Sequence, residues 1–171
     1  MDLFVNKERG NPGFSKALGL AIIVALLVIA GLIYFIFTLP TPKEEKAVIL
    51  QNAVTEGMPE FEEYTRDLII TNDARRMQEA RTGLGDVIMK LSARIRNAGD
   101  RTLTGLEVSV GMVDTKNKLI KDKKVLFVPK HYPKLEPGEE IDVSVSIGGF
   151  SPDDDRANAR WKVTAIKFAK K

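Results

Sequence analysis

The chain has 171 residues, room for one domain and one further segment. It has no cysteine, which excludes disulfides, thiolate nucleophiles, cysteine-ligated zinc or iron–sulfur centres, and acylation on a thiol. Its net charge of +3 comes from 26 basic and 23 acidic residues with the signs interleaved, so it lacks the segregated basic field of a nucleic-acid binder.

After a short N-terminal segment (1–16), Ala17 to Leu39 carries no charged side chain. At about 1.5 Å per residue such a run spans a hydrocarbon core of roughly 30 Å. It is longer than a signal-peptide core, and Phe35-Ile36-Phe37-Thr38-Leu39-Pro40 offers no small-x-small cleavage site, so a retained signal anchor is expected. Tyr34, Phe35 and Phe37 suit an interfacial end. Lys7, Arg9 and Lys16 precede the run, against Lys43 and Lys46 after it. That bias places the N-terminus in the cytoplasm and the rest across the cytoplasmic (inner) membrane, in the periplasm or its equivalent. Ala17, Ala21 and Ala25 recur at i, i+4, i+8. They form a small-residue strip on which another membrane helix can dock, although alanine is also simply tolerated in such helices.

Residues 40–61 read as a linker with a short helix. Thr41-Pro42-Lys43-Glu44 has the cap, first-position proline and acid of a helix start. Ala47, Leu50 and Val54 continue one apolar face, and Gly57 with Pro59 supplies the stop. This amphipathic helix would lie on the membrane surface or pack under the domain that follows.

Residues 62–171 read as the extracytoplasmic β-sandwich domain, with a period of two from Val87 onward. A strand is expected around Tyr64–Thr71, and Asn72–Gly85 fits either two helical turns or a loop. Val87, Met89, Leu91, Ala93 and Ile95 then alternate with a largely charged face. Leu106, Val108, Val110 and Met112 form a second half-buried strand, and shorter strands are expected at Leu119–Ile120 and Val125–Val128. Ile141, Val143, Val145 and Ile147 give a third alternation, and Trp161, Val163 and Ala165 a last, with Trp161 as a core anchor between sheets. About seven short strands separated by turns predict an all-β sandwich of immunoglobulin or fibronectin type, preceded by the membrane helix and the short helix.

Leu91-Ser-Ala-Arg-Ile-Arg-Asn97-Ala-Gly-Asp100-Arg-Thr-Leu103, Val108-Ser-Val110-Gly-Met-Val-Asp114 and Leu135-Glu-Pro137-Gly138-Glu together resemble the FxLYD-type family of small bacterial sandwich domains. The resemblance covers Leu91 to Gly149, and departs from the family pattern at Met112 and Val113. It implies binding or scaffolding in the cell envelope, and carries no catalytic residues over.

The single histidine, His131, sits in a Pro-flanked loop without partners for a triad or a metal cluster. Asp153-Asp154-Asp155 follows Ser151-Pro152, which makes it a helix start as readily as a calcium loop. Lys116, Lys118, Lys121, Lys123 and Lys124 form a basic stretch, suited to protecting an edge strand or to meeting an acidic partner or anionic headgroups. No catalytic pair, cofactor site, metal site or small-molecule substrate site is visible. The chain therefore reads as a non-catalytic, single-pass bacterial protein whose partners are the lipid bilayer and integral membrane subunits. An accessory or scaffolding subunit is the first expectation. A free-standing envelope module for a peptide, glycan or soluble protein is the second.

Overall fold

A computed structural model describes residues 12–38 and 42–170. The chain divides between Glu45 and Lys46 into two compact units. In the first, helix α1 (Pro12–Thr38) contains the apolar run. Helix α2 spans Pro42–Ile49, and the expected Thr41 cap and Leu39 lie outside the described residues.

The second unit is built from helix α3 (Pro59–Tyr64) and eight strands among the described residues: β1 (Val54–Thr55), β2 (Leu68–Asn72), β3 (Gln78–Arg81), β4 (Val87–Asn97), β5 (Leu103–Val113), β6 (Leu119–Val128), β7 (Glu140–Phe150) and β8 (Asn158–Phe168). They form two antiparallel sheets. One runs β1-β8-β5-β6. The other centres on β4, with β7 along one edge; β2 and β3 pair with successive stretches of β4 and so share its other edge.

The alternation in β4 fixes this arrangement. Val87, Met89, Leu91, Ala93 and Ile95 are at most 5% exposed, as are Ile141, Val143, Val145 and Ile147 opposite them on β7. On the outward side of the same register, Arg94 faces Asp142 and Arg96 faces Glu140. A one-residue slip would bury these charges, which specifies the pairing. Leu106, Val108, Val110 and Met112 of β5 join the same core, where each fully buried Leu side chain contributes about 2 kcal/mol.

The turn after β4 is held from inside. Asn97 is fully buried. Its Nδ2 donates to the carbonyls of Arg101 (2.9 Å) and Leu135 (3.3 Å), and its Oδ1 accepts from the amide of Gly99 (3.2 Å). The Tyr64 hydroxyl lies 3.0 Å from Asn97 Oδ1 and 2.7 Å from the Arg101 carbonyl, and accepts from the Arg101 amide (3.0 Å). Tyr64 packs so closely over Gly99 that a Cβ there would sit 2.6 Å from the ring. Its ring meets Phe168 in a T-shaped contact, 4.8 Å between centroids, and the Arg101 guanidinium covers the Phe168 ring at 3.3 Å.

Several elements depart from the sequence expectation. Leu119–Ile120 and Val125–Val128 belong to one continuous β6, because Lys121–Lys124 keep their backbone pairing with Ser109–Met112 of β5. β5 is buried on both faces rather than one. Asn72–Gly85 is neither two helical turns nor a plain loop: a 3-10 turn at Ala74–Arg76 leads into β3. Helix α2 ends at Ile49, ahead of the Gly57–Pro59 stop, and the chain forms β1 before Gly57. Ser151–Asp154 closes a turn rather than starting a helix, with the Asp154 carboxylate accepting from the Ser151 amide (2.7 Å). Trp161 is half-buried at the margin of the core.

Candidate interaction surfaces

Helix α1 presents one kind of surface. From Leu18 to Phe37 it is 20 residues long and apolar enough to cross a membrane, and none of that span is buried within the protein. Ala17, Ala21 and Ala25 lie in this helix, and the side chains of Ala21 and Ala25 are exposed.

The basic stretch is divided by the strand period. Lys116 and Lys118 sit in the turn before β6, where the Asp114 carboxylate accepts from both backbone amides (2.9 and 2.7 Å). Lys121 and Lys123 reach across to β7: Lys121 Nζ donates to the carbonyls of Gly148 (3.2 Å) and Gly149 (2.7 Å), and Lys123 Nζ to Ser146 (3.4 Å). Lys124 lies on the opposite face, in a groove with Ser109, Asp122, Arg160 and Lys162. The five lysines do not form one patch. Two of them cover backbone acceptors on β7, the edge-protecting role of lysine.

That outer face of the first sheet also holds a buried acid. Glu107 on β5 is 5% exposed; Lys46 forms an ion pair with it and Thr164 Oγ1 donates to it (2.6 Å). Lys167 Nζ donates to the Ile49 carbonyl (2.7 Å), and Leu50 lies against the Gly105 backbone. Residues 46–50 are thus held against the outer face of β5 and β8. Sequence reasoning missed Glu107, which occupies a polar position in its alternation. The available signal was the run of small neighbours Gly105, Ser109 and Gly111 on the same strand, which marks a face approached closely by other chain segments.

The outer face of the second sheet carries a charged network. Arg76 bridges Asp73 and Asp142, both at 2.6 Å, and Arg94 pairs with Glu140 (3.0 Å). Hydrogen bonding from Arg76 holds both the Asp73 and Asp142 carboxyls below the ordinary carboxylate range. Arg76, Arg94, Glu140 and Asp142 are exposed and Asp73 is half-buried, and all are paired with one another, which describes a solvated structural face. The acids of Asp153–Asp155 diverge: Asp154 turns to Ser151, while Asp155 accepts from Thr115 and is held below its ordinary range by that bond. Among the described residues no three His, Asp or Glu side chains converge on a point that could hold a metal. His131 is exposed, its ring 5.9 Å from Phe127.

A groove at the first sheet's edge was not foreseen. β8 pairs with β5 along its length but with β1 only at Ala165 and Ile166. Beside its uncovered part, Phe61, Leu68, Ile70, Trp161 and Val163 line a cleft rimmed by Glu56, Glu62, Thr65 and Lys162. The Trp161 indole N–H is buried and has no hydrogen-bond partner among the described residues.

No family model and no curated protein matches the chain. Solved structures with partial likeness include a Northeast Structural Genomics Consortium target, 9% identical with a TM-score of 0.39. It is matched over 60% of this chain and 84% of its own. A Bordetella pertussis protein provisionally named ApaA is 12% identical with a TM-score of 0.30, over 60% of this chain and 86% of its own. The structure is that of a domain of two antiparallel β-sheets preceded in the chain by an apolar helix long enough to cross a membrane.

Proposed function

We propose that this chain is a non-catalytic, single-pass membrane protein that acts as an accessory or scaffolding subunit of a bacterial membrane complex. Helix α1 is its retained anchor, the N-terminus is cytoplasmic, and the β domain is extracytoplasmic and docks on partner subunits. The domain is read as an immunoglobulin-like sandwich of the FxLYD type. The observation that carries the proposal is the wholly unburied apolar span Leu18–Phe37 with Ala21 and Ala25 exposed on it. Lipid covers such a helix on most sides, and a small-residue strip admits a second helix at close range.

Replacing Ala21 and Ala25 together by leucine, in the full chain expressed in its native membrane, tests the specificity of that helix. Retention of co-purifying membrane proteins should fall about tenfold, the change that a loss of roughly 1.4 kcal/mol of association free energy gives when bulkier side chains hold the helices apart. Unchanged retention would favour a free-standing module that uses α1 only as a tether. Lys121 and Lys123 are unsuitable for the same assay because neutralising them uncovers β7; Lys116, Lys118 and Lys124 are the basic positions to neutralise.

A further inference from the structure

Two of the domain's long strands, β7 and β8, are treated differently along the side that no long strand pairs with. Along β7, lysine ammonium groups occupy the carbonyls of Ser146, Gly148 and Gly149. Along β8, the chain's own strand β1 covers only Ala165 and Ile166, then Gly57 (φ +90°) and Pro59 turn the backbone away into α3. Among the described residues, no strand pairs with Asn158–Val163 along that edge. An edge of this length offers backbone donors and acceptors to another strand.

The side chains around it state what such a strand would need. On the core side, Trp161 and Val163 border the apolar cleft with Leu68 and Ile70. On the outer side stand Arg160 and Lys162, both exposed. Lys162 is paired with Glu56 (2.6 Å), the residue that follows β1, and Arg160 donates to Asn117 (2.9 and 2.7 Å). The chain's own edge segment thus already places an acid beside Lys162, and opposite charges are the favoured cross-strand neighbours. We propose that the edge Asn158–Val163 of β8 takes an extended segment of a partner protein, added as a strand, with apolar side chains toward Trp161 alternating with acidic ones toward Arg160 and Lys162. This deepens the docking role proposed above and rests on it for the source of the segment.

The test uses the purified full chain in detergent with two acetylated, amidated octapeptides, one alternating glutamate and valine, the other lysine and valine. Binding is read by emission of Trp161, the only tryptophan, and by hydrogen exchange across the β domain. The glutamate peptide should slow exchange within 158–163 and shift Trp161 emission to the blue. The lysine peptide should bind at least about fivefold more weakly, and Arg160→Glu with Lys162→Glu should reverse that order. Absence of protection at 158–163, equal binding of the two peptides, or protection at β7 instead would overturn the assignment. Because the assay contains no membrane partner, a negative result leaves the co-purification test of the subunit role standing.

Discussion

Asn97→Ala is expected to destabilise the β domain by about 3 kcal/mol, shown as an earlier midpoint in urea unfolding of the full chain followed by Trp161 emission. The side chain is completely buried and serves four groups: two carbonyls, one amide and the Tyr64 hydroxyl. Removing it strands several buried polar atoms, each costing about 1–3 kcal/mol, with some recovery through water or relaxation. Asn97→Asp separates this account from one based on volume. Aspartate fills the same space but turns an acceptor toward the Arg101 and Leu135 carbonyls and buries a charge, so it should cost at least as much as alanine. If Asn97→Asp were neutral, the turn would be held by shape alone. The adjoining Tyr64–Gly99 contact belongs to the same unit, since the tyrosine hydroxyl is held in place by Arg101 and its ring leaves no room for a Cβ on Gly99.

The second large effect is expected at Lys46. Lys46→Met removes the cation that faces Glu107, leaving a carboxylate 5% exposed with Thr164 as its remaining side-chain donor. Breaking a buried ion pair from one side is strongly destabilising, and with Lys46 itself partly exposed the expected cost is about 2 kcal/mol. Adding Glu107→Gln should restore most of it, so the double variant unfolds at a midpoint well above Lys46→Met alone. Additive losses in the two variants would mean that Lys46 and Glu107 act independently. The pair matters beyond stability because it fixes the start of the domain, residues 46–50, onto the outer face of β5.

The parts of this fold that were legible in the sequence are those where one face meets the core and the other meets water. β4 and β7 announce themselves through strict alternation, and their pairing puts Arg94 and Arg96 opposite acids as that alternation requires. The helix α1 is legible for a simpler reason, since charge-free apolar runs of that length have few other uses. Where a strand's identity depends on its neighbours, the sequence is silent. Lys121–Lys124 look like an interruption, yet their backbones complete the ladder with β5 and two of the side chains belong to the β7 edge. β3, Gln78–Arg81, has no buried residue at all and is a strand because β4 offers it an unfilled edge.

The candidate surfaces divide in the same way. Ala17, Ala21 and Ala25 could be read from spacing, because helical periodicity alone puts them on one face. The basic stretch could be read only as composition; its division between two faces follows from the strand period and from the closeness of β6 to β7. The open edge at Asn158–Val163 could not be read at all. It depends on β1 stopping after two residues at a glycine a hundred positions earlier in the chain, a fact that exists only once β1 and β8 are paired.

The most direct test of the subunit role is isolation of the tagged full chain from its native membrane in mild detergent, with crosslinking to locate its contacts. The account predicts a stoichiometric integral membrane partner, crosslinked to the face of α1 that carries Ala21 and Ala25 and to the β domain. Recovery of the chain alone, with no membrane protein retained or crosslinked, would contradict it.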